Sequence, residues 1–573
     1  MNYFLHYTNL FSGIILVVAG LILLHCIFKK RKELFLNLKE IPGSLIGLHL
    51  FFLVWGLFMV VKNFSRGEFG VWLMSTTNMN TFSSLLSTVR TPVYHFRSKI
   101  LAEIFGGISY EFISNVNFIG FIIASLLIYR IVFNLVKNKQ SAYAASIFFL
   151  TSPVMFTFSL IEDYALLALF FMIVSLFFIS MSIKEEDSFY VLPAMATALL
   201  SAGSRVEYII FPYLFILLFL ILSNRKDLKK NILLASGFGL LVIPRTISTV
   251  SMYFLDAQQD VALHGTTYEY TGNPITYIMT VIRGSANFFI ENMQDSFRIL
   301  TNPRDLTLLF LILSIMGFFV VLKKESRRIR RVYAFFIFQF IVLVLYYSYF
   351  HAVNGIRAYR YLITIITPLM ITAGISFGLL TAKRKSVFFG GLQILLIFSF
   401  ITVLFPLSFR QHSNLILDRR LDHFINSDFE QVRREYYAHK ELSYENRVSS
   451  IFNDDFDIKG GSDSYFIING ERSLLHSMPI DGNFIGVSDI ERISELADHI
   501  PKEANIYASQ SEMGFTSHRI DGYSNISVDP KKFEDHILDN FIVEKKIISY
   551  EIEDRYDIDH HHAFLFKLKH KTR

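Results

Sequence analysis

The first residues that could do chemistry lie in a polar stretch, residues 62–115. Arg66 and Glu68 flank Gly67 soon after an apolar run, and His95 follows further along. A carboxylate directly beyond a membrane-spanning helix lies at headgroup depth, where it can take a proton from a substrate, and glycine permits close backbone approach. These residues predict general-base chemistry at a lipid surface. The alternative for Glu68 is a solvated loop carboxylate.

A second acidic position, Glu162 with Asp163, lies between two apolar runs in a turn too short to leave the membrane surface. Two adjacent carboxylates there repel each other and lose hydration, so they need a cation, a proton or a role. Asp163 can also cap the following helix. Both interpretations stay open, because a capping aspartate can still take part in chemistry.

Arginines lie at two later positions that are also at the ends of apolar runs. Arg205 and Glu207 share one turn and can pair with each other. An arginine at a membrane face is also a good receptor for a lipid phosphate, because its planar fork binds phosphate oxygens bidentately. Arg245 follows Pro244 near the end of an apolar run, deeper than a snorkelling arginine requires, so it needs an anionic partner.

The last group of ionisable residues at a span end precedes an apolar run that contains Pro368. It consists of His351, Arg357 and Arg360. Arg357 and Arg360 are three residues apart, so a helix that begins there places both on one face. Their alternative role is interfacial anchoring. Together with the preceding arginines, they predict a cationic site for a lipid phosphate or another part of the substrate.

The composition predicts that these residues belong to a polytopic membrane protein. Of 573 residues, 52% are hydrophobic, 16% are aromatic and only 18% are charged, and the mean hydropathy is +0.40. A soluble domain of this length would not tolerate such a composition on its surface. The formal net charge of +6 is small, and the basic residues lie in short clusters between apolar runs, which argues against nucleic-acid binding.

Apolar runs long enough to cross a hydrocarbon core of about 30 Å predict about twelve transmembrane helices. They begin near residues 8, 44, 116, 143, 163, 190, 207, 231, 305, 332, 360 and 386. The first run is followed by basic residues 29–32 without a small-residue cleavage site, so we expect a retained helix rather than a signal peptide.

The positive-inside rule orients these helices. Five basic clusters all fall in every second connection, at 29–32, 137–139, 225–230, 323–331 and 383–385, and the remaining connection of this set, 184–188, carries no net positive charge. If those connections are cytoplasmic, all of the ionisable residues singled out above belong to the extracytoplasmic side. Charges at span ends are costly and usually mark pathways or sites, so their common side favours a site there.

The composition predicts three parts of the chain. Residues 1–43 form an extra N-terminal transmembrane helix and a cytoplasmic basic loop. Residues 44–407 form a transmembrane catalytic domain with outer loops 62–115 and 255–304. Residues 408–573 form a small extracytoplasmic α/β domain, because charges mix there and helix-like and strand-like stretches alternate. In this last part a helix is predicted over 488–499 and strands over 505–509, 541–552 and 563–569.

Metal and disulfide chemistry find little support. Cys26 is the single cysteine, which excludes an internal disulfide and a cysteine-based metal site. His560, His561 and His562 are consecutive, and three consecutive residues cannot all face one ion without strain, so we interpret them as polar surface. We predict no metal ligands and no firm cofactor. A divalent cation is compatible with the chemistry, but nothing in the sequence requires one.

In their order and common side, several motifs resemble the membrane glycosyltransferases of the C superfamily, especially the branch of protein O-mannosyltransferases and aminoarabinose transferases. The resemblance covers roughly residues 44 to 380. The motifs lie at residues 66–70, 91–95, 104–107, 144–146, 151–153, 162–163 and 360–362, the last leading toward Pro368.

The resemblance implies a polyprenyl-phosphate sugar as donor, Glu68 as base, Glu162 or Asp163 as second acid, and Arg360 in the late motif. Two departures stand out. Gly67 replaces the first of two adjacent acids usual in the family, which weakens the base assignment and any claim of a bound metal. The helix at residues 8–28 precedes the family's usual first helix.

The sequence therefore predicts an integral, multi-pass enzyme of a bacterial or archaeal cytoplasmic membrane that transfers a sugar, with inversion, to an extracytoplasmic hydroxyl. Its partners would be the lipid-linked donor, a glycan, lipid or protein acceptor, and membrane lipids. Two other classes stay open. A transporter or flippase would also line a path with charges, and a polymerase or ligase of lipid-linked glycans would also use arginines at the outer face.

Overall fold

The structure is a computed structural model that describes part of the chain. The described residues are 2–59, 92–105, 110–159, 164–222, 228–254, 293–294, 297, 300–301, 306–350, 355–399, 463–469, 483–486, 500–511, 530–547 and 563–571. Several predictions lie outside them. These are the site residues Arg66, Glu68, Glu162, Asp163 and His351, the helix at 488–499 and the histidines at 560–562.

Helices account for most of the described chain up to residue 399. They are α1 (Asn2–Lys39), α2 (Gly43–Val54), α3 (Pro92–Phe105), α4 (Tyr110–Val136), α5 (Lys139–Thr151), α6 (Pro153–Ser159), α7 (Tyr164–Glu185), α8 (Val191–Ser204), α9 (Ile210–Leu222), α10 (Leu228–Phe254), α11 (Thr307–Lys324), α12 (Arg327–Phe350), α13 (Gly355–Leu380) and α14 (Lys385–Ser399). Short 3₁₀ turns at Ser188–Tyr190 and Val206–Ile209 precede α8 and α9.

Among the described residues, five helical segments are long and apolar enough to cross a membrane by length and composition. Six shorter apolar segments accompany them. The predicted class of polytopic helical membrane protein is therefore confirmed. Each predicted run starts close to the start of an observed helix, but how many of these helices cross a membrane stays a prediction.

Two differences from the sequence expectations concern helix boundaries. The predicted outer loop 62–115 is partly helical, because α3 and the first turn of α4 lie within it. The fourth predicted run ends early: α5 stops at Thr151, and Pro153, which cannot continue a helix's hydrogen bonds, begins α6.

A close helix contact joins α5 to α13 through small residues. A Cβ built on Gly374 would lie 2.4 Å from the backbone N and Cα of Ala145, and one on Gly378 would lie 2.2 Å from the backbone N of Ser141. The hydroxyl of Ser141 donates to the carbonyl of Ile375 at 3.1 Å. Small residues four apart permit such backbone approach in membranes, where close packing replaces the hydrophobic effect.

Serine hydroxyls connect α7 and α8 in antiparallel order. Ser175 donates to the carbonyl of Ala194, and Ser201 donates to that of Ala168, both at 2.8 Å. The start of α7 therefore lies beside the end of α8. Because α8 has 14 residues, its two ends are about 21 Å apart, and they define two ends of the bundle.

The N-terminal helix α1 follows α8 along this length. Leu16 of α1 approaches Gly203 near the end of α8. Lys30 of α1 lies 3.0 Å from Asp187, just before α8 begins, and Glu33 accepts a hydrogen bond of 2.6 Å from the Tyr190 hydroxyl. These contacts make α1 an integral part of the described bundle, fixed to both ends of α8.

A five-stranded sheet lies in the C-terminal part. Its order is β2 (Asn483–Gly486), β1 (Ser464–Asn469), β3 (Asn505–Ser511), β5 (Ala563–His570), β4 (Phe541–Ile547). The first three strands are parallel, and β5 runs antiparallel to β3 and β4. Apolar residues of one face, with Phe533 and Ile537 of helix α15 (Pro530–Asn540), form a small core.

The three predicted strands in this part are observed. Two of them run one or two residues further than predicted, and the strand predicted over 541–552 is described as far as Ile547. On the sheet's other face Phe466 and Tyr507 are fully buried and stack at 5.3 Å between ring centroids. The existence of strands was predictable from the sequence, while the mixed strand order was not. The domain boundary at 408 and the extracytoplasmic position of this part stay predictions.

Candidate functional site

The candidate site is built at the C-terminal end of α8. Arg205 is the residue that ends this helix: its backbone is extended (φ −156°, ψ 134°), and its N–H donates to the carbonyl of Ser201. The residue is only 2% exposed. A helix C-terminus carries partial negative charge and orphan carbonyls, so it favours a neighbouring cation.

A second buried arginine reaches the same helix end from α10. Arg245 is also 2% exposed, and its Nε donates to the carbonyl oxygen of Ala202 at 3.1 Å. Ala202 belongs to the last turn of α8, three residues before Arg205. Two guanidinium-bearing residues are therefore buried at one helix terminus. The sequence predicted an anionic partner for Arg245, and one observed partner is the carbonyl of Ala202 at the negative end of a helix.

The helix end also touches α3 and α1 through Gly203. A Cβ placed there would lie 2.7 Å from Leu16 and from Val93. Val93 is in the first turn of α3, two residues before His95. The start of α3 therefore lies at the arginine end of the bundle.

A further connection brings α13 to the same place. Tyr208, in the 3₁₀ turn after Arg205, is buried, and its hydroxyl accepts a hydrogen bond of 2.5 Å from Thr364 Oγ1. Thr364 is on α13, four residues after Arg360. Residues four apart share one helix face, so position 360 occupies the face of α13 that meets Tyr208.

The structure thus gathers the described backbone positions of the predicted site at one end of the bundle. Arg205 and Arg245 have described side chains, whereas for His95, Glu207, Arg357 and Arg360 the helical positions are described. Position 357 lies in the first turn of α13. The chain enters α7 at this end too, directly after residues 162–163, because the start of α7 lies beside the end of α8.

Sequence reasoning missed a polar contact beside these positions. Arg97 of α3 lies over the ring of Tyr94, 4.8 Å from its centroid, and its Nη1 donates to Asn117 Oδ1 at 3.0 Å. Tyr94 is almost fully buried. The contact joins α3 to α4. The spacing of Tyr94 and Arg97, three residues apart in a polar segment, is the signal that could have found it.

Metal binding has no support among the described side chains. They contain no group of three histidine, cysteine or acidic residues that could hold an ion. The predicted acids, Glu68, Glu162 and Asp163, lie outside the described residues. The site as described can bind negative charge through its two arginines, in a place where burial strengthens electrostatic interactions.

A polytopic helical membrane protein with buried arginines at one end of its bundle is the class that fold and site define. Residues 89–250 match the family described as dolichyl-phosphate-mannose-protein mannosyltransferase. Over this segment the predicted resemblance to membrane glycosyltransferases of the C superfamily is confirmed. The segment includes His95, Arg205 and Arg245. Among curated proteins, none matches the chain.

Two solved structures are similar to the chain in fold, among others. One is ArnT from Cupriavidus metallidurans bound to undecaprenyl phosphate, with a TM-score of 0.45 and 11% identity over 91% of this chain and 97% of that chain. The other is the oligosaccharyltransferase AglB from Archaeoglobus fulgidus in complex with an inhibitory peptide and a dolichol-phosphate. Its TM-score is 0.43, with 11% identity over 90% of this chain and 75% of that chain.

Proposed function

We propose that the protein is a glycosyltransferase that moves a sugar from a polyprenyl-phosphate carrier to an acceptor hydroxyl. The observation that carries the proposal is the burial of Arg205 and Arg245 together at the end of α8. Both lie in the segment that matches the mannosyltransferase family. Buried arginines suit an anionic ligand such as a phosphate, because the planar guanidinium binds two of its oxygens at once.

In the proposed reaction the bond between the anomeric carbon and the phosphate oxygen breaks. A bond forms between that carbon and the acceptor oxygen from the opposite side, so the configuration inverts. The acceptor's proton passes to a carboxylate, and the electron pair of the broken bond leaves with the polyprenyl phosphate. The stored energy of the lipid-phosphate sugar drives transfer, so no nucleotide is needed.

Arg205 and Arg245 stabilise the departing phosphate in this scheme, because negative charge grows there as the glycosidic bond breaks. The carbonyl of Ala202 holds Arg245 in position before the reaction, and a donor that is already oriented needs no reorganisation at the transition state. Position 360 is the next candidate phosphate ligand, because α13 reaches this end through Thr364.

Glu68 is the proposed base, with Glu162 or Asp163 as the second acid. General-base assistance of this kind is worth about 10²–10⁴-fold in rate. We place the reaction on the extracytoplasmic side, since the basic connections predict that the opposite end of the bundle faces the cytoplasm. The C-terminal sheet and the outer loops would then hold the acceptor.

The test is transfer by purified full-length protein from a panel of polyprenyl-phosphate sugars, followed as release of free polyprenyl phosphate. Wild type should turn over one donor. Glu68→Gln should lose turnover while still binding the donor, and Arg205→Gln should weaken donor binding as well. Arg327→Gln is the matched control, because this exposed arginine begins α12 at the other end of the bundle.

If the Glu68→Gln variant still turns over the donor, Glu162 or Asp163 becomes the candidate base. If no donor reacts and the variants bind lipid phosphates as wild type does, the proposed function is wrong. The transporter alternative then becomes the leading one. Labelling distinguishes it, since a transporter exposes its essential charges to each side in turn.

A further inference from the structure

Four basic side chains converge at the end of the bundle opposite Arg205. Arg130 lies in α4, Lys137 directly follows α4, Lys184 is near the end of α7, and Arg328 is in the first turn of α12. We call these four residues the basic cluster. The proposed transfer reaction uses none of them.

The centre of the basic cluster is Arg130, which is 0% exposed. Its Nε donates to Asn37 Oδ1 at 2.7 Å, and its Nη2 donates to Glu40 Oε2 at 2.8 Å and to Asn134 Oδ1 at 3.2 Å. Arg328 donates to the carbonyl of Asn134 at 3.0 Å. An arginine inside an apolar run is the sequence signal that could have found this cluster.

Three buried donors at this place meet no acceptor within the described part of the chain. They are Nη1 of Arg130, Nδ2 of Asn37 and the hydroxyl of Tyr129. The ring of Phe133 connects two of them: it stacks on Tyr129 at 6.0 Å and lies 5.3 Å from the Arg130 guanidinium. A buried donor without an acceptor is destabilising, so three together favour binding of a group that accepts hydrogen bonds.

The charges of the basic cluster are also unbalanced. Glu40 accepts from Arg130 and, at 3.2 Å, from Lys184, which in turn lies 3.3 Å from Glu185. These are the carboxylates that pair with the cluster among the described residues, so four cations face two anions. Burial, and then the charges of Arg328 and Lys184, hold the pKa of Lys137 below its ordinary value.

We propose that the basic cluster is a second anion site, which takes a phosphate-type group at the end of the bundle opposite the transfer site. Such a group supplies several acceptor oxygens for the three orphan donors and negative charge for the excess cations. The group could belong to the headgroup of an anionic phospholipid or to free phosphate. The proposal does not depend on the proposed function.

The experiment uses the full chain in nanodiscs of phosphatidylcholine and measures the melting temperature. One arm titrates inorganic phosphate, and the other replaces part of the lipid with phosphatidic acid. Ligand that binds only the folded state raises the melting temperature. A rise with phosphate identifies a free anion as ligand. A rise with phosphatidic acid alone, with the lipid retained in native mass spectra, identifies the headgroup.

Lys137→Gln with Arg328→Gln should lower the affinity for the active probe about tenfold or more, since each removes a charged donor. The matched control is Lys139→Gln with Arg330→Gln, which removes the same charge two residues further along the chain in each case, from side chains that are exposed as those of Lys137 and Arg328 are. We expect the control to bind as wild type does. If both double variants lose the same affinity for the probe, the binding comes from diffuse surface charge and the proposal is overturned.

Tyr129→Phe separates a ligand site from a structural network without risking the fold. It removes only an orphan hydroxyl, so the ligand-free melting temperature should stay the same or rise. At an anion site the same change should weaken binding of the active probe severalfold. Unchanged affinity in Tyr129→Phe, or no response of wild type to either probe, would overturn the proposal.

Discussion

The guanidinium of Arg245 donates from Nε to the carbonyl oxygen of Ala202, 3.1 Å away, across the interface of α10 and α8. One hydrogen bond thereby performs two tasks. It satisfies a carbonyl in the last turn of a helix, where intrahelical donors run out, and it fixes a cation beside Arg205.

Arg245→Gln should lower kcat/KM for polyprenyl-phosphate sugar about 10²-fold, the usual cost of losing one preorganised donor to a leaving group. Arg245→Lys keeps the charge but loses the planar fork, so we expect an intermediate loss of about tenfold. Steady-state kinetics with saturating acceptor measure both. Equal activity of Arg245→Lys and wild type would contradict the role of the fork.

The hydrogen bond from Thr364 to Tyr208 should position α13 for catalysis. Thr364→Val and Tyr208→Phe should each reduce stability by about 1 kcal/mol and should not be additive, because both remove the same bond. A double-mutant cycle on the free energy of unfolding checks the non-additivity, and the same cycle on kcat/KM checks whether the bond positions α13. Thr367→Val is the control, since that buried hydroxyl donates to Ile363 within its own helix. A coupling energy of zero would show that the bond does not position α13.

Gly374→Ala should destabilise the protein by at least about 1–3 kcal/mol, the usual cost of overpacking a core. The added Cβ meets the backbone of Ala145 at 2.4 Å, and a backbone cannot rotate away as a side chain can. Gly237→Ala is the control, because its Cβ would meet nothing within 4 Å. We expect that variant to be neutral or more stable, since alanine favours a helix over glycine. Melting temperatures in detergent measure both, and similar values would argue against close packing of α5 on α13.

Glu40 should give a pH-dependent contribution to stability. Partial burial raises the pKa of its carboxyl, but the hydrogen bonds and charges of Arg130 and Lys184 outweigh burial and hold the pKa below its ordinary value. A lowered folded pKa means that the contribution is complete above the unfolded pKa of about 4.3. It is lost as pH falls below that value and through the folded pKa.

The melting temperature of wild type should therefore exceed that of Glu40→Gln at neutral pH, and the gap should close in acid. If the melting temperatures of the two proteins differ by the same amount at every pH, Glu40 keeps an ordinary pKa. Glu325→Gln serves as control, because Glu325 ends α11 outside this network.

The sequence alone determined the class of this protein and the approximate starts of twelve of its described helices, but it predicted neither α3 nor α6. Apolar runs of sufficient length have few other stable structures in a chain this poor in charge. Three strands of the C-terminal part were predictable too, from alternating apolar residues between turn signals. Ordered motifs predicted a resemblance to membrane glycosyltransferases over roughly residues 44 to 380, and a mannosyltransferase family match confirms it over residues 89–250.

Only the tertiary structure decided which polar groups meet. Arg205 and Arg245 are 40 residues apart, and nothing in either helix states that α10 delivers one guanidinium to the last turn of α8. The same holds for Arg130, whose partners Asn37 and Glu40 lie 93 and 90 residues earlier in the sequence. Local patterns specify a helix and its apolar face. The partner across that face is set by packing of small residues and by long-range hydrogen bonds, which have no local period.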